Sequence, residues 1–290
     1  MFPSFHSASD SFGQGRIETL HARRVVGRNI HQMLLDVGAI VNGHFVYAEK
    51  EDGWYHGPGY VNKDAFYPYP VFVGECCQSL ARHFKNQCIE VVVGPTLGGI
   101  SLSQWTAYWY NVLTRPSGSN ALAVYAEEEP VLERRHIDID LSAAGSRQAE
   151  FSAYGNVQVV HSATEGMLHI QYAERTGTRR VLRRGYDKLV RGRRCLVVED
   201  VTHSGKTVRD TIGAIKRAGG TVVGVGALCD RSGNKISKSM LGVPEYCSLA
   251  YLDMPMYPAS NCPLCKKYGA GSVRQNLGHG KEFLASMGVL

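Results

Sequence analysis

A strand–helix–strand pattern between residues 195 and 228 restricts the fold of this chain more than any other feature. Residues 195–198 and 221–228 are short apolar runs of the kind that form buried parallel strands. Between them, residues 207–218 place apolar side chains at helical spacing, and two glycines follow. This order predicts a βαβ unit, and therefore an α/β fold with a mainly parallel sheet flanked by helices.

Other segments extend the pattern towards the N-terminus. Helices are predicted over 70–84 and 100–113, with strands over 89–93 and 121–125, and apolar spacing predicts a further helix within 19–37. Period-two alternation within 127–191 predicts β-hairpins. The predicted organisation is a disordered arm (1–15), a small N-terminal hood with short strands (16–70), a core (71–258) with a hairpin-like insertion (130–180), and a C-terminal tail (259–290).

Composition excludes several classes of protein. The 290 residues are 44% hydrophobic and 20% charged, which is typical of a globular chain rather than a disordered one. No apolar run approaches the roughly 20 residues of a spanning helix, and the first residues do not resemble a secretory signal. We therefore expect a cytoplasmic protein with reduced cysteines and no membrane partner. A net charge of +6 gives little reason to expect nucleic acid and fits a small anionic ligand equally well.

The chemistry is concentrated where the strand over 195–198 ends. Glu199 and Asp200 follow that strand, and a hydroxyl-rich turn with Gly205 leads into the next helix. A Walker A loop is excluded because Asp200 stands where that motif requires glycine. Free N–H groups at a helix N-terminus favour a phosphate, and the two carboxylates suit the vicinal hydroxyls of a ribose. The alternative is an acidic pair beside an unrelated helix cap. Phosphate contacts are predicted for Thr202, His203, Ser204, Gly205, Lys206 and Thr207.

Residues 196–207 resemble the phosphoribosyl-diphosphate (PRPP) motif of type I phosphoribosyltransferases: an apolar strand, two acidic residues, then a small hydroxylated turn. The resemblance extends over most of residues 17–290 and indicates the branch that resembles orotate phosphoribosyltransferase. A second glycine-rich turn after the strand over 89–93 is similar to that branch's pyrophosphate-binding loop. Its residues are Pro95, Thr96, Leu97, Gly98 and Gly99.

The resemblance also implies a base-binding site. Arg231 matches an arginine that holds the carboxylate of the base in orotate enzymes, although a surface arginine in a turn is the alternative. Tyr60, Asn62 and Lys63 belong to the segment that resembles the one packed on the base. Ala48 stands where those enzymes usually carry a lysine, so orotate is the leading base and other bases stay open.

The segment over 125–136 occupies the place of the family's mobile catalytic loop. Arg134, Arg135 and His136 are its cationic cluster, and a solvated charged loop is the alternative. Together with Glu199 and Asp200, these residues are predicted to be catalytic.

The implied function is Mg²⁺-dependent transfer of ribose 5-phosphate from PRPP to a nucleobase, with release of pyrophosphate, by a homodimer in pyrimidine nucleotide synthesis. The alternatives are a transferase for another base and a non-catalytic PRPP-binding regulator. An arginine-rich run over 179–194 keeps the regulator open, although no helix-turn-helix pattern precedes the core.

Cys262 and Cys265 form a Cys-x-x-Cys pair in the predicted tail. One such pair is half of a zinc site. His279 is the nearest third ligand in the sequence, and no fourth is evident. A packed or reactive thiol pair is therefore favoured, and no metal ligand is assigned.

Overall fold

A computed structural model of the chain describes residues 18–22, 24–25, 28–50, 52–115, 118, 120–140, 160–164 and 167–289. It forms two compact units: residues 1–126 with 182–290, and residues 127–181. The predicted arm over 1–15 lies outside the described residues.

Thirteen strands and eight α-helices are assigned within the described residues. The strands are β1 (Glu18–Ala22), β2 (Arg24–Val25), β3 (Arg28–Asn29), β4 (Ile40–Lys50), β5 (Gly53–Val61), β6 (Val91–Pro95), β7 (Leu122–Asp140), β8 (Val160–Thr164), β9 (Met167–Val181), β10 (Arg194–Thr202), β11 (Thr221–Asp230), β12 (Tyr246–Asp253) and β13 (Tyr257–Pro258). The helices are α1 (Ile30–Asp36), α2 (Pro70–His83), α3 (Gly98–Thr114), α4 (Tyr186–Val190), α5 (Lys206–Arg217), α6 (Lys238–Leu241), α7 (Pro263–Tyr268) and α8 (Gly280–Ser286). None of these helices is both long and apolar enough to span a membrane.

The sheet of the first unit has the order β1-β12-β11-β10-β6-β7. All neighbouring strands in it are parallel except β1, which pairs antiparallel with β12. The predicted α/β class with a mainly parallel sheet is confirmed. Strand β10 lies inside the sheet, so its carboxyl end opens beside those of β6 and β11.

Helices cover both faces of this sheet. Val92, Leu196 and Val198 belong to a core cluster shared with α2 and α3. Val93 and Val197 belong to a second cluster, which includes the apolar face of α5. Successive strand residues thus point to opposite faces, and burial on both faces explains why these strands are almost continuously apolar.

A smaller sheet in the same unit forms the hood. Strands β4 and β5 make an antiparallel hairpin, and β13 pairs with the outer edge of β5. The tail follows β13, and its backbone binds β4: the amide of Arg274 donates to the carbonyl of His44, and that of His279 to the carbonyl of Val46. Segments far apart in sequence therefore build the hood together.

The second unit is an antiparallel array. Within it, β7 pairs with β9 from Glu127↔Val181 to Asp140↔Met167, and β8 pairs with β9. Ion pairs cross the β7–β9 ladder: Arg179 lies 2.7 Å from Glu129, and Arg135 lies 2.8 Å from Glu174. The hairpins predicted from period-two alternation are present in this unit.

Two predicted elements are wrong. The helix predicted within 19–37 is limited to Ile30–Asp36, because Asn29 caps it by accepting a hydrogen bond from the amide of His31. The residues before it include β1, which is paired with β12. The loop predicted over 125–136 is part of β7, because the hydrogen-bonded ladder with β9 holds it extended.

Candidate active site

The acidic pair lies at the carboxyl end of β10, as predicted. Glu199 and Asp200 are 6% and 4% exposed. One oxygen of Asp200 accepts hydrogen bonds from its neighbours: Oδ2 receives the Tyr67 hydroxyl at 3.0 Å and lies 3.5 Å from the ammonium of Lys63. The other oxygen, Oδ1, accepts the amide of Val201 at 2.6 Å. The pair is thus fixed in place with a single ammonium beside it among the described ion pairs.

The glycine-rich turn after β6 packs directly against this pair. A Cβ atom at Gly98 would lie 1.9 Å from Oδ2 of Asp200 and 2.3 Å from the hydroxyl oxygen of Tyr67. One at Gly94 would lie 1.9 Å from the carbonyl oxygen of Gly99. Glycine is required at Gly98 because the turn lies against the Asp200 carboxylate at the end of β10, and at Gly94 because the turn folds back onto the end of β6.

The turn over 202–207 leads from β10 into α5. Gly205 adopts a left-handed conformation (φ 70°) just before the first residue of the helix. The amide of Lys206 donates to Oγ of Ser204 at 3.3 Å, and the amides of a first helical turn, which have no acceptor within the helix, suit an anion. The Lys206 ammonium lies 2.6 Å from a carboxylate oxygen of Asp210, one turn further along α5. Burial lowers the pKa of His203, with the charge of Arg231 acting in the same direction, so the ring is neutral at pH 7.

Arg231 directly follows β11. Its amide donates to the carbonyl of Thr202, which joins the end of β11 to the phosphate turn. Its guanidinium carbon lies 5.2 Å from the ring centroid of Tyr47 on β4. Burial raises the pKa of Tyr47 to about 12, so the ring beneath the guanidinium is an uncharged phenol. The structure thus supports the guanidinium on an aromatic face.

A cleft of about 360 Å³ brings most of the predicted site residues together. It is lined by Tyr60, Asn62, Lys63, Glu199, Asp200, Arg231 and every residue of the turn over 202–207. Pro95, Thr96, Leu97, Gly98 and Gly99 do not line it, although Gly98 abuts Asp200. A glycine-containing turn at a helix N-terminus, two carboxylates and a cation at the carboxyl edge of a parallel sheet suit an anionic sugar ligand.

Comparison with known proteins agrees with this geometry. Residues 156–243 match the family model described as the phosphoribosyl transferase domain.

Curated relatives carry a more specific name. The chain is 29% identical to an orotate phosphoribosyltransferase of Caldicellulosiruptor bescii, over 81% of this chain and 90% of that protein. It is 28% identical to the enzyme of that name from Thermotoga maritima, over 82% and 92% of the two chains. A solved orotate phosphoribosyltransferase of Mycobacterium tuberculosis matches with a TM-score of 0.44 and 17% identity, over 77% and 95% of the two chains.

Three tyrosines at this site were not predicted from the sequence. Tyr67 donates to Asp200, Tyr47 lies under Arg231, and the hydroxyl of Tyr246 lies 3.0 Å from both Thr202 Oγ1 and Asp230 Oδ2. Each reaches the site from a different element. The only local signal was the abundance of tyrosine between residues 44 and 69, which does not say where any hydroxyl points.

The predicted cationic cluster lies in the second unit. Arg134, Arg135 and His136 are on β7, opposite Ala173, Tyr172 and Gln171 of β9. The guanidinium of Arg135 is paired with Glu174 at 2.8 Å and with Glu133 at 3.3 Å. The catalytic role of these three residues stays a prediction.

Burial and a neighbouring carboxylate both act on the pKa of Glu199. Burial raises the pKa of Glu199 well above its usual range, and the neighbouring charge of Asp200 raises it further. The Asp200 amide donates to Oε1 of Glu199 at 3.0 Å, which offsets only part of this effect. A cation bound beside the pair would relieve the repulsion between the two carboxylates.

We expect Glu199→Gln to remove a pH-dependent part of the stability. Because the pKa is raised in the folded chain, the contribution of Glu199 is complete below the ordinary glutamate pKa. It is lost as the pH rises through the folded value. Urea unfolding between about pH 4 and pH 8 should show the wild type losing free energy of unfolding relative to the variant. Glu282→Gln, which changes an exposed glutamate, is the control. Parallel curves for wild type and Glu199→Gln would contradict the expectation.

Proposed function

We propose that the protein transfers the ribose 5-phosphate group of PRPP to orotate and releases pyrophosphate. The observation that carries the proposal is the single cleft in which the acidic pair, the phosphate turn and Arg231 meet. The names of the relatives support orotate as the base. The reaction would serve pyrimidine nucleotide synthesis.

Each side of the cleft suits one part of the substrates. The amides and hydroxyls at 202–207 would bind the 5-phosphate, and Glu199 and Asp200 would orient the ribose hydroxyls. The backbone of the turn over 95–99 would receive the pyrophosphate, since it offers N–H groups beside the acidic pair. The reaction needs no covalent nucleophile from the protein, so its acceleration would come from positioning and charge stabilisation.

The base would bind on the side of the cleft next to β5. Arg231 has the geometry for two parallel hydrogen bonds to a carboxylate, and the ring of Tyr47 restricts where its guanidinium moves. Tyr60 and Asn62 line the same cleft. Lys63 is the remaining cation of the predicted base site, and it lies close to Asp200. Ala48 stands where orotate enzymes usually carry a lysine, so this site has one cation fewer. Transfer to an uncharged base is therefore the second candidate.

Mg²⁺ fits the donor set of the cleft. It prefers oxygen ligands and a few carboxylates beside substrate phosphates. Burial, and after it the charge of Asp200, raises the pKa of Glu199, and a cation would compensate that charge. Glu199 and Asp200 are the residues that would hold it, directly or through water. When bound, the ion would neutralise phosphate charge.

We also propose a cytoplasmic homodimer. The exposed side of α3 carries Trp105, Tyr108 and Val112, which are 37%, 54% and 36% exposed, and this apolar face suits a second copy of the chain. None of the eight cysteines forms a disulfide, which suits a reducing compartment.

An assay of pyrophosphate release from PRPP and Mg²⁺ with a panel of bases tests the proposal. We expect turnover with orotate and much less with uracil, which differs from orotate only in lacking the carboxylate. Turnover with hypoxanthine or uracil in preference to orotate would contradict orotate as the substrate but would agree with phosphoribosyl transfer. PRPP binding without release for any base would favour the regulator.

A further inference from the structure

Four metal-ligating side chains from distant parts of the chain meet in the hood. His44 lies on β4, His56 lies on β5, Cys262 precedes α7 and Cys265 lies within it. Each offers one ligand atom, and the four atoms all lie within 4.8 Å of one another. We propose that these residues bind one Zn²⁺ in a closed tetrahedral site with a structural role.

The separations between the ligand atoms fit this ion. Nε2 of His44 lies 3.0 Å from Nδ1 of His56, and 3.6 and 3.7 Å from the sulfur atoms of Cys262 and Cys265. Nδ1 of His56 lies 3.2 Å from the sulfur of Cys265. Zinc bonds of about 2.0–2.1 Å to nitrogen and about 2.3 Å to sulfur place tetrahedral ligands roughly 3.3 Å (N to N) and 3.6 Å (N to S) apart. The measured separations differ from these by only a few tenths of an ångström.

A hydrogen-bond chain behind His44 orients its lone pair. The Ser272 hydroxyl lies 2.7 Å from Nδ1 of His44 and donates its own proton to the carbonyl of Gly269, also at 2.7 Å. Ser272 therefore accepts from Nδ1, which must carry the imidazole proton. Nε2 is left with a free lone pair directed at the other three ligands, as is usual for a histidine bound to zinc.

The surroundings of the cluster are buried and otherwise poor in stabilising contacts. His44, His56 and Cys262 are 5%, 0% and 0% exposed. The ring of His56 packs edge-on against Phe283 at 4.5 Å, and its Nε2 has no hydrogen-bond partner among the described residues. The hood has an apolar cluster of only four buried residues, which are Val46, Val273, Phe283 and Leu284. A core of this size gains much from a metal cross-link.

His279, the nearest candidate for a third ligand in the sequence, lies outside this cluster. Its side chain is exposed, and its backbone amide binds the carbonyl of Val46. The two actual partners of the cysteines come from the β4–β5 hairpin, more than two hundred residues earlier in the chain.

A zinc ion here would cross-link the tail to the hairpin. Four protein ligands leave no open position for a substrate or a reactive water, so the site is structural rather than catalytic. The same hairpin carries Tyr47 and Tyr60, which contact or line the cleft. The inference does not depend on which base, if any, the cleft accepts.

The metal content of the full chain tests the proposal. The protein should be produced without a polyhistidine tag in zinc-supplemented medium and measured by mass spectrometry of the elements. We expect about one zinc per chain in the wild type and a loss of nearly all of it in Cys265→Ser. Cys265 is chosen because its side chain is only partly buried. His279→Ala and Cys88→Ser are matched controls outside the cluster, and both should keep the full zinc content.

Cobalt provides a second measurement that does not rely on a variant folding well. Metal-stripped wild type titrated with Co²⁺ should develop the intense visible bands of a tetrahedral site together with thiolate charge-transfer absorption, saturating at about one ion per chain. Added Zn²⁺ should abolish both. The proposal is overturned by a wild type without zinc and without these bands, by full zinc in Cys265→Ser, or by a Cys262–Cys265 disulfide in the freshly purified chain.

Discussion

The double variant Glu199→Gln with Asp200→Asn is expected to lose pyrophosphate release by roughly a hundred- to a thousandfold or more in kcat/KM, with little loss of folding stability. The two carboxylates face the cleft from the end of β10, where the proposed reaction needs them to orient the ribose. Their replacement also removes a repulsion that raises the pKa of Glu199, so the unliganded fold should not suffer. Steady-state kinetics and thermal unfolding of the same preparation measure the two effects.

A carboxylate outside the cleft provides the control for this variant. Glu245 is paired with His83 at 3.2 Å just before β12, and it does not line the cleft. Glu245→Gln should retain the wild-type turnover. Unchanged turnover in the double variant would reject the role of the acidic pair, whereas its unfolding would leave the single variants Glu199→Gln and Asp200→Asn to decide.

Arg231→Ala is expected to raise the KM for orotate strongly while the KM for PRPP changes little. A charge-assisted bidentate contact is lost, which costs on the order of 2–3 kcal/mol, or roughly thirty- to more than a hundredfold in kcat/KM for orotate. PRPP is spared because the amides of the turn over 202–207 hold its phosphate, and these do not depend on the guanidinium. Varying each substrate at saturation of the other separates the two constants.

Arg231→Lys is the informative companion of this variant. It keeps the positive charge beside Tyr47 but removes the planar pair of donors, so its KM for orotate should fall between those of the wild type and Arg231→Ala. Equal KM values for orotate in all three proteins would show that Arg231 does not hold the base.

The predictable parts of the site are those whose residues lie next to one another in the sequence. The acidic pair, Gly205 and the start of α5 follow one another within a few residues, and burial of β10 on both faces leaves a continuous apolar run before them. Strand, turn and helix are then fixed by local spacing, and the position of the cleft follows from the topology of a parallel sheet.

The parts that were not predictable depend on contacts between distant segments. Tyr67 meets Asp200 across more than a hundred residues, and His44 meets Cys262 across more than two hundred. Neither contact leaves a periodic pattern in the sequence. The helix predicted over the residues of β1 is wrong for a related reason. Their pairing with β12 overrides the helical spacing that continues into α1.

The pairing of β13 with β5 has a consequence for the order in which the protein matures on the ribosome. Strand β5 is made early, but the residues that cover its outer edge lie about two hundred positions later, and until they emerge that edge presents unpaired backbone groups. Exposed strand edges promote association between nascent chains. The sheet that carries Tyr47 and Tyr60 is therefore completed only among the last steps of synthesis.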